Sequence, residues 1–453
     1  MDRRRWLILL GVGAGTFMTA LDSSIVNTTL PLIRQAFGAD IAAIEWVTSL
    51  YVLALSGLML GFGRLGDLRG HKRTFVWGFG LFVGASMLCG LAPNTPALVA
   101  ARVLQAVGGA AIVANGPALL TRHFPPAMRG QVLGLQATMT YLGMTTGPTL
   151  GGLLATHLGW RAIFYVNVPI GAAALAASRR FIPNDAPQSV HLPFDVSGAM
   201  LFLSGMMLLL LGLDQGSAWG WRSTPIVACL VLAVVLGGLF LRLETRLDHP
   251  MLDLSLFRSW TFSAAVASAI CNYVCVYSII FLVPFYLEDG RHFGAQFTGL
   301  LLTAQPLVMA VTSPLAGMLS DRIGVRMLST VGMAILAAAL YGLSRLGADA
   351  TPLHVVGVLA LAGLGTGIFT TPNNSALMGA APRQRQGIAA GVLATARNGG
   401  MALGVGLAGA VMSTVAARAA AGGQAGLLPG IGAAFAAAAG VGVLGAVLSV
   451  VRG

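Results

Sequence analysis

The sequence predicts an all-α polytopic membrane protein, and three observations carry that reading. Of 453 residues, 56% are hydrophobic and only 9% are charged, against roughly 25% charged in an average soluble domain. The apolar residues recur in blocks of about 17–25, each long enough to cross a hydrocarbon core of roughly 30 Å. The cations gather in alternate connectors, as the positive-inside rule requires of a multi-span chain. Fourteen such blocks leave only short connectors, so no soluble catalytic or ligand-binding domain fits in the remainder.

Span one, Trp6–Leu30, follows Met1-Asp2-Arg3-Arg4-Arg5. That start resembles a signal-peptide n-region, but the block is too long and lacks a small-residue cleavage site, so it is retained as a span. It carries Asp22, the one acid well inside an apolar block. Span two is Ala43–Phe62 and span three Thr74–Leu91, joined by a short glycine-rich connector. Span four, Pro96–Leu120, carries Arg102. Span five, Gln131–Leu154, is rich in glycine, and Ala162–Ala177 is span six. The longest connectors, Arg179–Asp195 and Arg242–Trp260, bracket spans seven (Val196–Leu213) and eight (Pro225–Leu241) and suit joints between rigid bundles. Spans nine to eleven are Thr261–Leu287, Phe297–Met318 and Met327–Leu343. Spans twelve to fourteen are Pro352–Leu377, Gly387–Met412 and Leu428–Val450.

With the N-terminus inside, the cytoplasmic connectors collect cations from Arg3–Arg5 through Arg64, Arg122 and Arg179 to Arg385 and Arg452. The other side holds Arg34, Arg161, Arg222, Arg291, Arg345 and Arg418, a bias of about three to one. Both termini are therefore expected in the cytoplasm. The net charge of +12 is scattered between apolar blocks, which describes topology and not a nucleic-acid surface. Cys89, Cys229, Cys271 and Cys275 all lie within apolar blocks and read as small buried hydrophobes. The histidines form no ligand set, and no nucleophile motif is present, so neither enzyme chemistry, a metal nor another cofactor is expected.

An internal repeat organises the chain. Gly63-Arg-Leu65-Gly-Asp67-Leu-Arg69-Gly70-His-Lys72, continued by Arg73, follows span two. Gly317-Met-Leu319-Ser-Asp321-Arg322-Ile-Gly324-Val-Arg326 follows span ten. Gly, Leu, Asp, Gly and a cation recur at one offset, and both copies fall on the cytoplasmic side, as parallel repeats require. The expected division is a six-helix bundle over 1–180, linkers and two inserted helices over 181–260, and a second six-helix bundle over 261–453.

These features resemble the major facilitator superfamily and, more narrowly, its fourteen-span drug:proton antiporter branch. Leu21-Asp22-Ser-Ser-Ile-Val-Asn27-Thr-Thr-Leu-Pro31 is similar to that branch's first-span motif, and Arg102-Val-Leu-Gln105-Ala-Val-Gly108-Gly109 to its fourth-span motif. Gly143-Met-Thr-Thr-Gly147-Pro148-Thr-Leu-Gly151-Gly152 matches the fifth-span antiporter motif. Gly159-Trp160-Arg161 and Asn167-Val-Pro169 are similar to the fifth-to-sixth connection, while Leu68 stands where a basic residue is common. The resemblance implies two bundles, each of inverted three-helix repeats, that alternate access to a central cavity. It also implies proton-driven export of amphiphilic organic molecules from a bacterial cytoplasmic membrane, by a monomer whose partners are protons, cargo and lipid. Export of lipids, of a self-made antibiotic or of a metabolite uses the same machinery. A non-transporting scaffold or sensor is the reading from another class; it would need no intramembrane acid.

Asp22 and Arg102 are the candidates for proton coupling. A charge at bilayer depth costs about 2.5–3.5 kcal/mol, and a carboxylate escapes that cost by accepting a proton. Asp22 lies about 24 Å from the inner boundary, and Arg102 about 9 Å from the outer one, so their levels agree in a core of roughly 30 Å. The alternatives are a permanent ion pair, a boundary position in water, or an arginine stem that snorkels. Gly143, Gly147 and Gly151 form one smooth helical face beside Pro148 and Gly152, suited to a seam or simply to packing.

Asp67 and Asp321 suit a cytoplasmic latch, because carboxylates accept from amides at helix N-termini; otherwise they are solvated turn residues. The resemblance places Asp67 against the start of span thirteen, around Gln386–Gly387, and Asp321 near Gly130–Gln131. It also makes Asn27, Asn115, Asn272, Tyr273, Tyr277, Asn373 and Asn374, with Gln305 and Tyr141 nearby, candidates for the substrate cavity. Each alone can equally be a helix–helix hydrogen bond. Asn373 and Asn374 follow Pro372, which suggests an interrupted span twelve. Arg397, near mid-membrane in span thirteen, either pairs with helix carbonyls or attracts an anionic group of the cargo.

Overall fold

The computed structural model describes residues 3–184, 193–347, 349–421 and 427–451, and these contain helices and no strand. The first half runs α1 (Arg3–Phe37), α2 (Ile41–Arg69), α3 (His71–Leu91), α4 (Thr95–His123) and α5 (Arg129–Leu158). Then come α6 (Ala162–Tyr165), α7 (Asn167–Phe181), α8 (Val196–Trp219) and α9 (Thr224–Glu244). The second half runs α10 (Trp260–Glu288), α11 (Ala295–Leu302), α12 (Ala304–Ile323) and α13 (Val325–Ser344). It ends with α14 (Pro352–Ala380), α15 (Gln386–Ala421) and α16 (Leu428–Val451). Among the described residues, thirteen segments are long and apolar enough to cross a membrane. The remaining expected span, α5, is 30 residues long, but its glycines, threonines and glutamines dilute its apolar character.

The helices outrun the apolar blocks. The repeated motif expected in a connector is instead the last two turns of α2 and of α12. Continuing the helix keeps each backbone N–H and C=O paired in a medium without water. Gly70 (φ 97°) and Gly324 (φ 90°) end those helices in a conformation that only glycine adopts without strain. Spans six and ten each run as one candidate span, with a local irregularity of the helix at Val166 between α6 and α7 and at Thr303 between α11 and α12. Conversely, α14 is continuous through Pro372, so span twelve is not interrupted there. Neighbouring helices in a bundle hold a proline-containing helix together.

The chain forms two compact units. Unit one contains residues 1–207, 233–255 and 381–395; unit two contains 208–232, 256–380 and 396–453. Three of these divisions fall inside α8, α9 and α15, and the other two in the connectors after α9 and after α14. In unit one, Ile25, Val26 and Ile33 of α1 pack with Val47 of α2, Leu98 of α4 and Phe164 of α6. In unit two, Ile279, Leu282 and Val283 of α10 pack with Leu336 and Leu340 of α13, Phe369 of α14 and Phe435 of α16. The same close crossing occurs once in each: Gly78 of α3 faces Gly108 of α4, and Gly332 of α13 faces Gly365 of α14. On α9, Val231, Val234 and Val235 are exposed, as suits side chains whose solvent is lipid.

Candidate functional site

Depth alone put Asp22 and Arg102 at one level, and their side chains meet. Asp22 is fully buried and Arg102 is 1% exposed; Arg102 Nη1 lies 2.5 Å from Asp22 Oδ2. The same nitrogen donates to Gln105 Oε1 at 2.6 Å, and Nε reaches the Val47 carbonyl at 3.4 Å. The guanidinium stacks 3.9 Å above the Tyr51 ring. Asp22 Oδ1 accepts from Gln105 Nε2 at 2.9 Å and from Asn167 Nδ2 at 2.8 Å. Gln105 Nε2 also donates to Ser86 Oγ at 2.7 Å.

Three helices of unit one, α1, α4 and α7, therefore meet at one carboxylate, and α2 and α3 join them through Arg102 and Gln105. Asn167 is the first residue of α7, so the irregularity at Val166 lies against Asp22. Removing either partner from a buried pair leaves an uncompensated charge. Here Arg102 has a second acceptor, Gln105 Oε1, and an aromatic face. The guanidinium thus has partners besides the carboxylate.

Gly143, Gly147 and Gly151 press α5 onto α1 on either side of this site. A Cβ at Gly143 would meet the Phe17 carbonyl at 2.6 Å, and one at Gly151 would meet Ile25 Cγ1 at 2.7 Å. At Gly147 it would meet Ser24 Cβ at 2.5 Å. Ser24 Oγ donates to the Met144 carbonyl at 2.8 Å, beside Pro148. Gly152 faces open space. The seam lies within unit one, where it fixes α1 on both sides of Asp22.

A second polar cluster surrounds Asp67, which is 4% exposed. Its Oδ1 accepts from Gly387 N–H at 2.9 Å and its Oδ2 from Ile388 N–H at 2.9 Å, at the N-terminus of α15. Gly63 and Gly387 cross so closely that a Cβ on either would collide with the other's carbonyl. His71 Nε2 stands 3.2 Å from Asp67 Oδ1. Its Nδ1 donates to Asn115 Oδ1 at 2.7 Å, since the Asn115 amide nitrogen is committed to the Ala111 carbonyl at 2.9 Å. Thr121 Oγ1 donates to Gln386 Oε1 at 3.1 Å, and Arg122 to the Arg383 carbonyl at 3.0 Å. Arg385 pairs with Asp253 at 2.5 Å and donates to Ser255 Oγ at 2.8 Å. Glu244 accepts from Leu252 N–H at 2.9 Å. The second long connector is therefore fastened through Glu244, Asp253 and Ser255.

Of the other latch residues, Lys72 donates to Asn184 at 2.9 Å, and Arg73 is exposed. In unit two, Asp321 is half-buried and Gly317 buried, whereas Arg322 and Arg326 are exposed. Among the cavity candidates, Asn115 serves the Asp67 cluster. Asn373 is buried, donating to the Ala265 carbonyl at 3.0 Å and accepting from Ser268 at 3.2 Å. Asn272 donates to Met333 Sδ at 3.5 Å. These are helix–helix bonds. Tyr273, Tyr277 and Asn374 are half-buried, Tyr141 is buried, and Asn27 is exposed. Gln305, 4% exposed, keeps a buried amide nitrogen without a partner among the described residues.

Gln105, Asn167, Tyr51 and His71 were not assigned roles from sequence. Gln105 was nonetheless visible, three residues after Arg102 and hence on its face.

A family profile described as Major Facilitator Superfamily matches residues 12–197, 196–404 and 265–452. The chain is 33% identical over 403 residues to the riboflavin transporter RibZ of Clostridioides difficile, covering 89% of this chain and 87% of that protein. It is 34% identical over 414 residues to the multidrug resistance protein Stp of Mycobacterium tuberculosis, covering 91% of this chain and 77% of that one. Among solved structures, the human organic anion transporter MFSD10 (TETRAN) superposes with a TM-score of 0.69 at 16% identity. That match covers 99% of this chain and 100% of the other, a likeness of fold.

Proposed function

Because the chain belongs to the Major Facilitator Superfamily, and is a membrane transporter and not an enzyme, we propose that it exports amphiphilic organic molecules in exchange for protons. On this reading it belongs to the fourteen-span drug:proton antiporter branch. It works as a monomer in a bacterial cytoplasmic membrane with both termini inside. Two six-helix bundles, joined through the inserted pair α8 and α9, alternate access to a central cavity.

One observation carries the proposal: Asp22 is buried against an arginine that has other partners to fall back on. The cycle then has a physical basis. Ionised Asp22 holds α1, α4 and α7 together through Arg102, Gln105 and Asn167. A proton entering from outside neutralises the carboxylate, Arg102 turns wholly to Gln105 Oε1 and Tyr51, and α1 is freed to move. Asp67 on the N-terminus of α15 latches one state of the cycle, with Asp321 expected to latch the same face from the second repeat. The α1–α5 seam keeps Asp22 in register while the bundles move. One charge crossing 100 mV supplies about 2.3 kcal/mol, enough for a gradient of about fifty-fold.

The similarity to RibZ favours a second reading, in which the same machinery moves one metabolite. Proteoliposomes with an imposed pH gradient test both. Lipophilic dyes and riboflavin are offered to the wild-type protein and to Asp22→Asn. The proposal expects gradient-driven movement that vanishes in the variant while cargo binding survives. Full gradient-driven transport by Asp22→Asn would sink it, and movement of riboflavin alone would select the second reading.

A further inference from the structure

From sequence, Arg397 had two roles open: pairing with helix carbonyls, or attraction of an anionic group. It lies eleven residues after Gln386, the first residue of α15, hence about 16 Å along the helix, near mid-membrane. Among the described residues it forms no ion pair, and its one hydrogen bond runs from Nε to Asn398 Oδ1 at 3.3 Å. Its two terminal nitrogens serve no carbonyl, so the structural role has no partner. A charge kept at this depth without a counter-ion is costly, and such residues face a cavity or a pathway.

Its surroundings are built. Tyr273 and Tyr277, four residues apart, share one face of α10. Gly400 lies three residues beyond Arg397, and a Cβ there would stand 2.9 Å from Tyr273 Cβ. Gly404, one turn further, would meet the Val274 carbonyl at 2.5 Å. The two glycines close α15 onto α10 within one to two turns of Arg397, with Tyr273 against Gly400, all within unit two. Neither hydroxyl has a hydrogen-bond partner among the described residues. A guanidinium fork and two phenol hydroxyls, each able to donate, thus sit on neighbouring helices without an anion paired to them among the described residues.

The geometry points to an oxyanion subsite: Arg397, Tyr273 and Tyr277 receive a carboxylate or phenolate oxygen of an aromatic organic anion. The fork donates two parallel hydrogen bonds to such a group, and the phenols supply further donors. This deepens the export reading and rests on it only for the direction of transport.

Fluorescein and rhodamine 6G test it, because they share a xanthene ring system and differ in charge. Their binding to purified protein in detergent is followed by fluorescence anisotropy, without any gradient. Fluorescein affinity is expected to fall about ten- to a hundredfold in Arg397→Gln. In Tyr273→Phe/Tyr277→Phe, which removes only two unpartnered hydroxyls and leaves the fold intact, the expected fall is about tenfold. Rhodamine 6G should bind all three proteins within about twofold. Equal fluorescein affinity across the three proteins overturns the subsite, as does a wild type that binds rhodamine 6G and not fluorescein. Equilibrium binding reads the subsite and gradient-driven movement reads the export mechanism, so failure of one is told apart from failure of the other.

Discussion

Replacing Asp22 with asparagine, alone and together with Arg102→Gln, separates the charge at this site from its packing. The single change removes the anion and leaves Arg102, 1% exposed, as a buried cation. Breaking a buried pair in this way costs about 3–5 kcal/mol. Arg102 keeps Gln105 Oε1 at 2.6 Å and the Tyr51 face at 3.9 Å, and a desolvated cation–π contact is worth about 2 kcal/mol. The loss should therefore fall at the low end, about 3 kcal/mol, or a little over a hundredfold in the unfolding equilibrium. The double variant has no buried charge and should return to within about 1 kcal/mol of the wild type. Unfolding in lipid bicelles, followed by tryptophan fluorescence, measures all three proteins. If the two variants are equally stable, Arg102 does not balance an ionised Asp22, and the reasoning fails at its first step. Recovery of pH-driven transport in the double variant would remove Asp22 as the proton carrier even if the stabilities came out as expected.

Other perturbations read the remaining parts. Asp67→Asn weakens two charge-assisted bonds to the start of α15, worth about 1.5–3 kcal/mol; the ratio of inward- to outward-accessible forms should shift by about ten- to a hundredfold. Alkylation of single cysteines introduced on each face reports that ratio, and an unchanged pattern rejects the latch. Gly147→Ala drives a methyl group into Ser24 and should cost about 1–3 kcal/mol through overpacking, slowing transport. Gly152→Ala meets nothing within 4 Å and serves as its internal control; equal behaviour of the two would refute the seam. Arg385→Ala removes a half-exposed pair worth about 0–1 kcal/mol, so overall stability should barely change. Trypsin should nevertheless cut the released connector at Arg246 or Arg258 about three- to fivefold faster, and an unaltered rate means the connector is held by other contacts.

The helical fold and the level of its one deep acid were legible in the sequence because both follow from simple lengths. Apolar block length sets the spans, and a rise of 1.5 Å per residue set Asp22 and Arg102 at one depth from opposite ends. The partners around the carboxylate were less accessible. Gln105 shares Arg102's face, but that Asn167 reaches Asp22 depends on how α7 packs against α1, which hydropathy does not record. Glycine spacing likewise gives a smooth face on α5 but not its neighbour, which the structure shows to be α1. Pro372 misled because a proline breaks an isolated helix, whereas within a bundle the surrounding helices hold it together. The fastening of the second connector went unseen because Asp253 and Arg385 are far apart in the chain and carry no periodicity.

The orientation of the Gln105 amide has an evolutionary consequence. Its nitrogen faces Asp22 and Ser86 while its oxygen faces Arg102. Glutamine and glutamate codons differ by a single base, and the change would set a second acid of nearly the same shape beside the first. Two carboxyls sharing one arginine cannot both stay ionised, so the pair would hold a proton of its own. If that proton travels with the first, each turnover carries one more charge, worth about 2.3 kcal/mol per 100 mV. Under the proposed exchange, transport would then depend more steeply on membrane voltage. On the proposed mechanism the ratio of protons to cargo thus stands one point mutation from its neighbour, and selection can tune it without altering the fold.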